Sequence, residues 1–166
     1  MTNHHKEIQF IDGAIEGLST LLFDTVVSED NDLITPGADF FKPEQMNYSL
    51  ESIKVLEKYL ISLKHDELND EDYMCVVLRT GAYLGEVIRR NSKNEEWHWV
   101  DHETALTLDP SLAEFGKQLG FVANLYCAEG DLIFPLAKVE KFMSDPEGDS
   151  LSFYSDVILH LAEMPD

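Results

Sequence analysis

Basic residues are scarce in this chain. Twelve Lys and Arg side chains stand against 32 Asp and Glu, so the 166 residues carry a formal net charge of −20 at pH 7. Nucleic-acid binding needs Lys and Arg at the phosphates, so the charge argues against direct contact with nucleic acid. A basic protein partner is one explanation of the excess, because opposite charges steer association. An acidic or saline host is the other, since acidic residues occur along the whole chain.

Cysteine and long apolar runs are also rare. The two cysteines, Cys75 and Cys127, lie in apolar contexts without Cys-x-x-Cys spacing, which favours buried, reduced thiols. The first residues lack the cationic start and apolar segment of a secretory signal, and no apolar run reaches the roughly 18 residues of a membrane span. We therefore expect a cytoplasmic protein that does not enter membranes.

Catalytic and cofactor motifs are missing as well. The sequence contains no Gly-x-Ser-x-Gly elbow, no phosphate-binding glycine loop and no calcium loop. His98 and His102 would share one face of a helix, but Trp97–Val100 favours a strand, on which the two residues would lie about 13 Å apart. We expect no metal, no cofactor and no catalytic residues, although an enzyme could assemble its site from dispersed residues.

Hydrophobic residues make up 44% of the chain, which excludes disorder throughout and favours one domain over residues 1–166. Apolar residues recur with a period near 3.6 over five segments, and this predicts helices. The segments are about 6–26, 49–64 with Ser49 as N-cap, 70–91 with Asn69 as N-cap, 135–143, and 150–161. Pro, Gly, Asn and Asp punctuate residues 28–45, which predicts a surface loop after the first helix.

A period of two residues follows the third helix and predicts short strands. They are expected near 97–101, 104–108, 120–127 and 131–134. Four strands in succession are typical of an antiparallel meander. The expected fold class is therefore α+β, with a helical hairpin and further helices packed on a short antiparallel sheet.

The segment from Arg79 to Arg90 is the most distinctive in the chain. Gly81 and Gly85 cost about 1 kcal/mol each inside a helix, so close packing of another element should offset that cost. Helix-on-sheet packing is the simple interpretation, with Glu86 and Arg90 paired along the exposed side. The alternative is a partner or ligand groove, for which the candidate residues are Arg79, Gly81, Tyr83, Gly85, Glu86 and Arg89.

This segment also carries a resemblance. The chain combines Gly81–Arg90 with a Trp-rich strand at Trp97 and Trp99, the stretch Gly130–Val139 and the late Asp149–Tyr154. Over roughly residues 50–160 it resembles a loosely defined group of small bacterial proteins of unknown function. These proteins have a helical hairpin, a short sheet and an F-P-x-x-K-V junction between strand and helix. Some proteins of this appearance are regarded as immunity or accessory proteins, and the group supplies no catalytic residues.

Two hypotheses of function follow. The first is a non-catalytic bacterial protein that binds a basic partner, as an immunity-type inhibitor of a basic toxin or nuclease would. The second is an enzyme or small-molecule binder with a pocket between the 70–91 helix and the sheet. The sequence does not indicate an oligomeric state.

Overall fold

Helices surround a small antiparallel sheet in the computed structural model, which describes residues 8–24, 34–63, 67–148 and 150–163. Within those ranges the chain forms six α-helices and three strands. In chain order they are α1 (Asp12–Leu21), α2 (Leu50–Ser62), α3 (Asp70–Asn91), β1 (Trp97–Asp101), α4 (His102–Leu108), β2 (Ala123–Cys127), β3 (Leu132–Ile133), α5 (Pro135–Ser144) and α6 (Leu151–Glu163). The predicted α+β class is confirmed.

The bounds of α2 and α3 follow from their caps. The Ser49 hydroxyl accepts a hydrogen bond from Ser52 N at 3.3 Å, and Asn69 Oδ1 accepts one from Asp72 N at 2.8 Å. These bonds use backbone donors that have no partner inside the first turn of a helix. Both predicted N-caps are confirmed.

The sheet has the order β1–β2–β3, and both pairs of strands are antiparallel. Trp97 lies opposite Cys127, and Trp99 lies opposite Leu125. The indole of Trp99 is fully buried and belongs to the main hydrophobic cluster, together with Tyr83 of α3. Thus α3 lies over the sheet and is buried along most of its length.

The strand predicted over 104–108 is wrong, because the chain forms α4 there. Asp101 ends β1 and caps α4, since its Oδ1 accepts a hydrogen bond from Thr104 N at 2.8 Å. Glu103 places a negative charge in the first turn, which suits the helix dipole. The local Ala-Leu-Thr-Leu pattern suited a strand, but the preceding cap determined the structure.

The bounds of the other predicted elements differ less from those in the structure. Helix α1 covers the middle of the predicted 6–26 helix, whose two ends lie partly outside the described residues. Only 123–127 of the predicted 120–127 strand is extended, since a 3-10 turn precedes it, and β3 is two residues long. Residues 28–33 of the predicted loop lie outside the described ranges, while 34–45 contains two 3-10 turns.

No described helix combines the length and the apolar character that a membrane-crossing helix requires.

Candidate functional site

The two glycines of α3 lie against other elements, as the sequence predicts. A Cβ atom at Gly81 would lie 2.7 Å from two side-chain atoms of Leu136 on α5. A Cβ atom at Gly85 would lie 2.3 Å from Cζ2 of Trp99. The space that glycine leaves on this helix is therefore filled by Leu136 and Trp99.

The six candidate groove residues do not line a common opening. Tyr83 and Glu86 are fully buried, and Arg79 is 8% exposed and donates a hydrogen bond to Thr35 Oγ1. The Tyr83 hydroxyl donates to Ser52 Oγ at 2.8 Å and accepts a hydrogen bond from Tyr48 N at 3.0 Å. Of the six residues, only Arg89 keeps a partly exposed side chain. The space expected for a pocket between α3 and the sheet is thus occupied by packing.

Glu86 is the unusual group of this helix, because its carboxylate is completely buried. Trp99 Nε1 donates to Glu86 Oε2 at 3.0 Å. Arg90 pairs with Oε1 at 3.2 Å, and its guanidinium lies 3.6 Å from the centre of the Tyr48 ring. The predicted pairing of Glu86 with Arg90 is confirmed, but the prediction that Glu86 lies on the exposed side is wrong. The reason is that β1 covers this side of α3.

Arg89 extends the same network to α1. Its Nη1 lies 2.6 Å from Glu16 Oε1 and 3.5 Å from Glu86 Oε2, and its Nη2 lies 3.2 Å from Asp12 Oδ2. Burial acts to lower the pKa of Arg89, but the hydrogen bond to Glu16 and the charges of Asp12 and Glu86 raise it above its usual value. Arg89 therefore remains a cation that binds α1 to α3.

Asp12 completes the attachment of α1 to the sheet. Its Oδ1 accepts a hydrogen bond from Trp99 N at 2.6 Å, and its Oδ2 lies 2.7 Å from His98 Nδ1. His98 Nε2 lies 3.2 Å from Glu96 Oε1, and the His98 ring stacks on Phe10. These contacts give His98 a structural partner on α1. His102 lies apart from it, at the start of α4.

An acidic groove lies where residues 8–9 pass α4. Its volume is about 380 Å³, and it is lined by Ile8, Gln9, Asp101, Glu103, Thr104, Thr107 and Leu108. Asp101 and Glu103 are exposed, and the side chain of Ile8 is 38% exposed. Hydrogen bonds from the backbone and side chain of Thr104 lower the pKa of Asp101 below its usual value, with smaller contributions from His102 and Lys117. The groove thus combines an ionised carboxylate, a second acidic side chain and apolar surface.

A different group of side chains meets at the far end of the sheet. Atoms of Glu95, Cys127 and Asp131 that could bind a metal all lie within 4.8 Å of one another. The Cys127 thiol is fully buried, and burial raises its pKa above the usual value. Backbone hydrogen bonds from Asp131 and Glu129 act to lower this pKa, while the charges of Glu95 and Asp131 act to raise it. Sequence reasoning missed this group because Glu95 and Cys127 are far apart in the chain and no short motif contains them.

Comparisons with protein-family models, with curated proteins and with solved structures found no match for this chain. The resemblance to small bacterial proteins therefore stays a prediction.

Proposed function

We propose that this protein is a non-catalytic binding protein that covers a basic surface of a protein partner, in the manner of an immunity-type inhibitor. The observation that carries the proposal is the groove beside α4, in which exposed carboxylates and apolar surface occur together. The surrounding charge supports it, since the whole chain has a net charge of −20.

Several of the few Lys and Arg side chains make contacts inside the protein. Arg79 and Lys138 are buried, and Arg89 and Arg90 pair with the buried carboxylate of Glu86. These residues give the surface little positive charge to offset Asp and Glu. A surface of this kind raises the association rate with basic proteins and disfavours acidic ones.

The groove suits a Lys or Arg side chain of the partner. Such a side chain has an aliphatic stem, which can lie against Ile8 and Leu108, and a cationic end, which can reach Asp101 and Glu103. No Lys, Arg or His is among the described residues that line the groove. A Lys or Arg side chain of the partner would therefore supply the positive charge that the groove lining lacks.

The test is capture of the partner from an extract of the native host at about 0.1 M salt, followed by binding kinetics with the purified partner. We expect one basic protein at a one-to-one ratio. The D101N/E103Q double variant is expected to weaken its binding by about tenfold or more, because it removes two carboxylates from the groove. Asn still caps α4, since its side-chain oxygen can accept the hydrogen bond from Thr104 N.

The matched control is D145N/E147Q, which removes the same formal charge from exposed residues outside the groove lining. Its affinity should stay within about twofold of the parent protein, because neither side chain lines the groove and both are exposed to screening by salt. Equal losses in both double variants would show that binding depends on total charge and not on the groove. Capture of no basic protein would contradict the proposed function.

A further inference from the structure

Three adjacent parts of the sheet each contribute one side chain to the group of Glu95, Cys127 and Asp131. Cys127 ends β2, Asp131 immediately precedes β3, and Glu95 lies two residues before the start of β1. Cys127 N donates to Asp131 O at 3.0 Å, and Gly130 N donates to Cys127 O at 2.9 Å. The turn requires glycine, because Gly130 has a φ of +98°. Backbone hydrogen bonds therefore fix Cys127 and Asp131 as neighbours.

The two carboxylates of this group are not in ion pairs with other described residues. The carboxylates of Glu95 and Asp131 lie within 4.8 Å of each other. The Cys127 sulfur lies 4.0 Å from Asp131 Oδ2 and is fully buried. Two carboxylates and a thiol that lie this close together are a ligand set that a divalent cation can join.

Trp97 supplies a second, independent observation. It is 3% exposed and lies directly opposite Cys127 in the antiparallel pair, so the two side chains are neighbours on one face of the sheet. Its Nε1–H is buried and has no acceptor among the described residues, whereas Nε1–H of Trp99 donates to Glu86. Buried indole donors usually have a partner. Metal ligands commonly take a hydrogen bond from a neighbouring group, and Cys127 is the cross-strand neighbour of Trp97.

We propose that Glu95, Cys127 and Asp131 bind one divalent cation of borderline softness, of the Zn²⁺ class. A thiolate selects such a metal over Mg²⁺ or Ca²⁺, which prefer ligand sets made only of oxygen. Zn²⁺ requires sulfur at about 2.3 Å and carboxylate oxygen at about 2.0–2.2 Å. The ligand atoms must therefore move closer together, which the exposed Asp131 and half-buried Glu95 allow while Cys127 stays fixed.

The charge balance of binding is simple. The metal loses water molecules, the Cys127 thiol loses its proton to solvent as the sulfur–metal bond forms, and both carboxylates stay ionised. Local charge changes from −2 to −1. Three protein ligands leave one position of a tetrahedral site for water.

The test is titration of the full chain, freed of metal with a chelator, first with Zn²⁺ alone and then with Co²⁺ alone. Calorimetry should show one Zn²⁺ bound per chain, and Co²⁺ should give the near-ultraviolet absorption of a thiolate–cobalt bond. C127S should lose that absorption and weaken Zn²⁺ binding by at least about tenfold. The matched control is C75S, which changes the other buried cysteine and should alter neither signal.

A second variant keeps the test decisive if C127S fails to fold. E95Q/D131N changes only side chains with solvent access and should weaken Zn²⁺ binding by at least about tenfold. Absence of saturable Zn²⁺ binding to the parent protein would overturn the proposal. So would Zn²⁺ binding that is unchanged in E95Q/D131N, or thiolate–cobalt absorption that survives in C127S.

Discussion

Replacing Gly85 by Leu is expected to destabilise the protein by about 3 kcal/mol, the upper end of what overpacking usually costs. Even a Cβ atom at this position would lie 2.3 Å and 2.4 Å from two ring atoms of Trp99 and 3.2 Å from Leu125. The indole cannot move away freely, because its Nε1 donates to the buried carboxylate of Glu86 at 3.0 Å. For a domain of this size, thermal denaturation should show a melting temperature lower by about 6–12 °C.

Two other glycine substitutions show how much of the lost stability comes from the contact with Trp99. Gly85→Ala should lose less stability, about 1–2 kcal/mol, because Ala recovers about 1 kcal/mol of helix propensity. Gly17→Ala is the matched control on α1, where a Cβ atom meets no described residue within 4 Å, and it should be neutral or stabilising by up to about 1 kcal/mol. An unchanged melting temperature for Gly85→Leu would contradict the close packing of α3 on β1.

Replacing Glu86 by Ala is expected to cost about 3 kcal/mol of unfolding free energy, because it removes one partner from a buried charge network. The Trp99 indole N–H then loses its acceptor, while Arg89 and Arg90 lose a counter-charge. Arg89 keeps Glu16 and Asp12, so the loss should stay near the lower end of values for buried pairs. Urea denaturation measures it directly.

Two control variants separate the effect of the Glu86 charge from the effect of its burial. Glu86→Gln keeps an oxygen acceptor for the Trp99 N–H and most of the volume, so it should lose less stability than Glu86→Ala. Glu51→Ala breaks the exposed pair with Lys54, in which the Glu51 side chain is 82% exposed, and should cost less than about 0.5 kcal/mol. If Glu86→Ala were as mild as Glu51→Ala, the buried network would contribute nothing to the attachment of α1 and β1 to α3.

Local signals predicted most of the fold. Asn69 and the acidic first turn of α3 fix its start, and the Gly81 and Gly85 pair predicts the close approach that Leu136 and Trp99 make. The alternating Trp97–Asp101 segment is a strand. In each case the residues that determine the structure are close in the sequence or share one helix face. A local pattern of the sequence therefore predicts the structure.

The remaining features depend on contacts between distant residues. Glu86 is buried because Trp99 and its strand cover it, and the pattern of α3 alone does not show which of its sides β1 covers. Glu95 meets Asp131 only after β1, β2 and β3 pair. Helix α4 is different, since the Asp101 cap followed by Glu103 was a local signal that the strand-like Leu-Thr-Leu pattern obscured.

The proposed function requires that the acidic surface serves recognition, and this can be measured through the response to sodium chloride. The Debye length falls from about 10 Å at 0.1 M salt to about 3 Å at 1 M. Thermal stability should rise from low to moderate salt, because self-repulsion is screened. Over the same range the association rate with the basic partner should fall, because electrostatic steering is screened as well. We therefore expect stability and association rate to respond to salt in opposite directions. An association rate that does not change with salt would contradict the proposed function and would leave the charge as a property of the host.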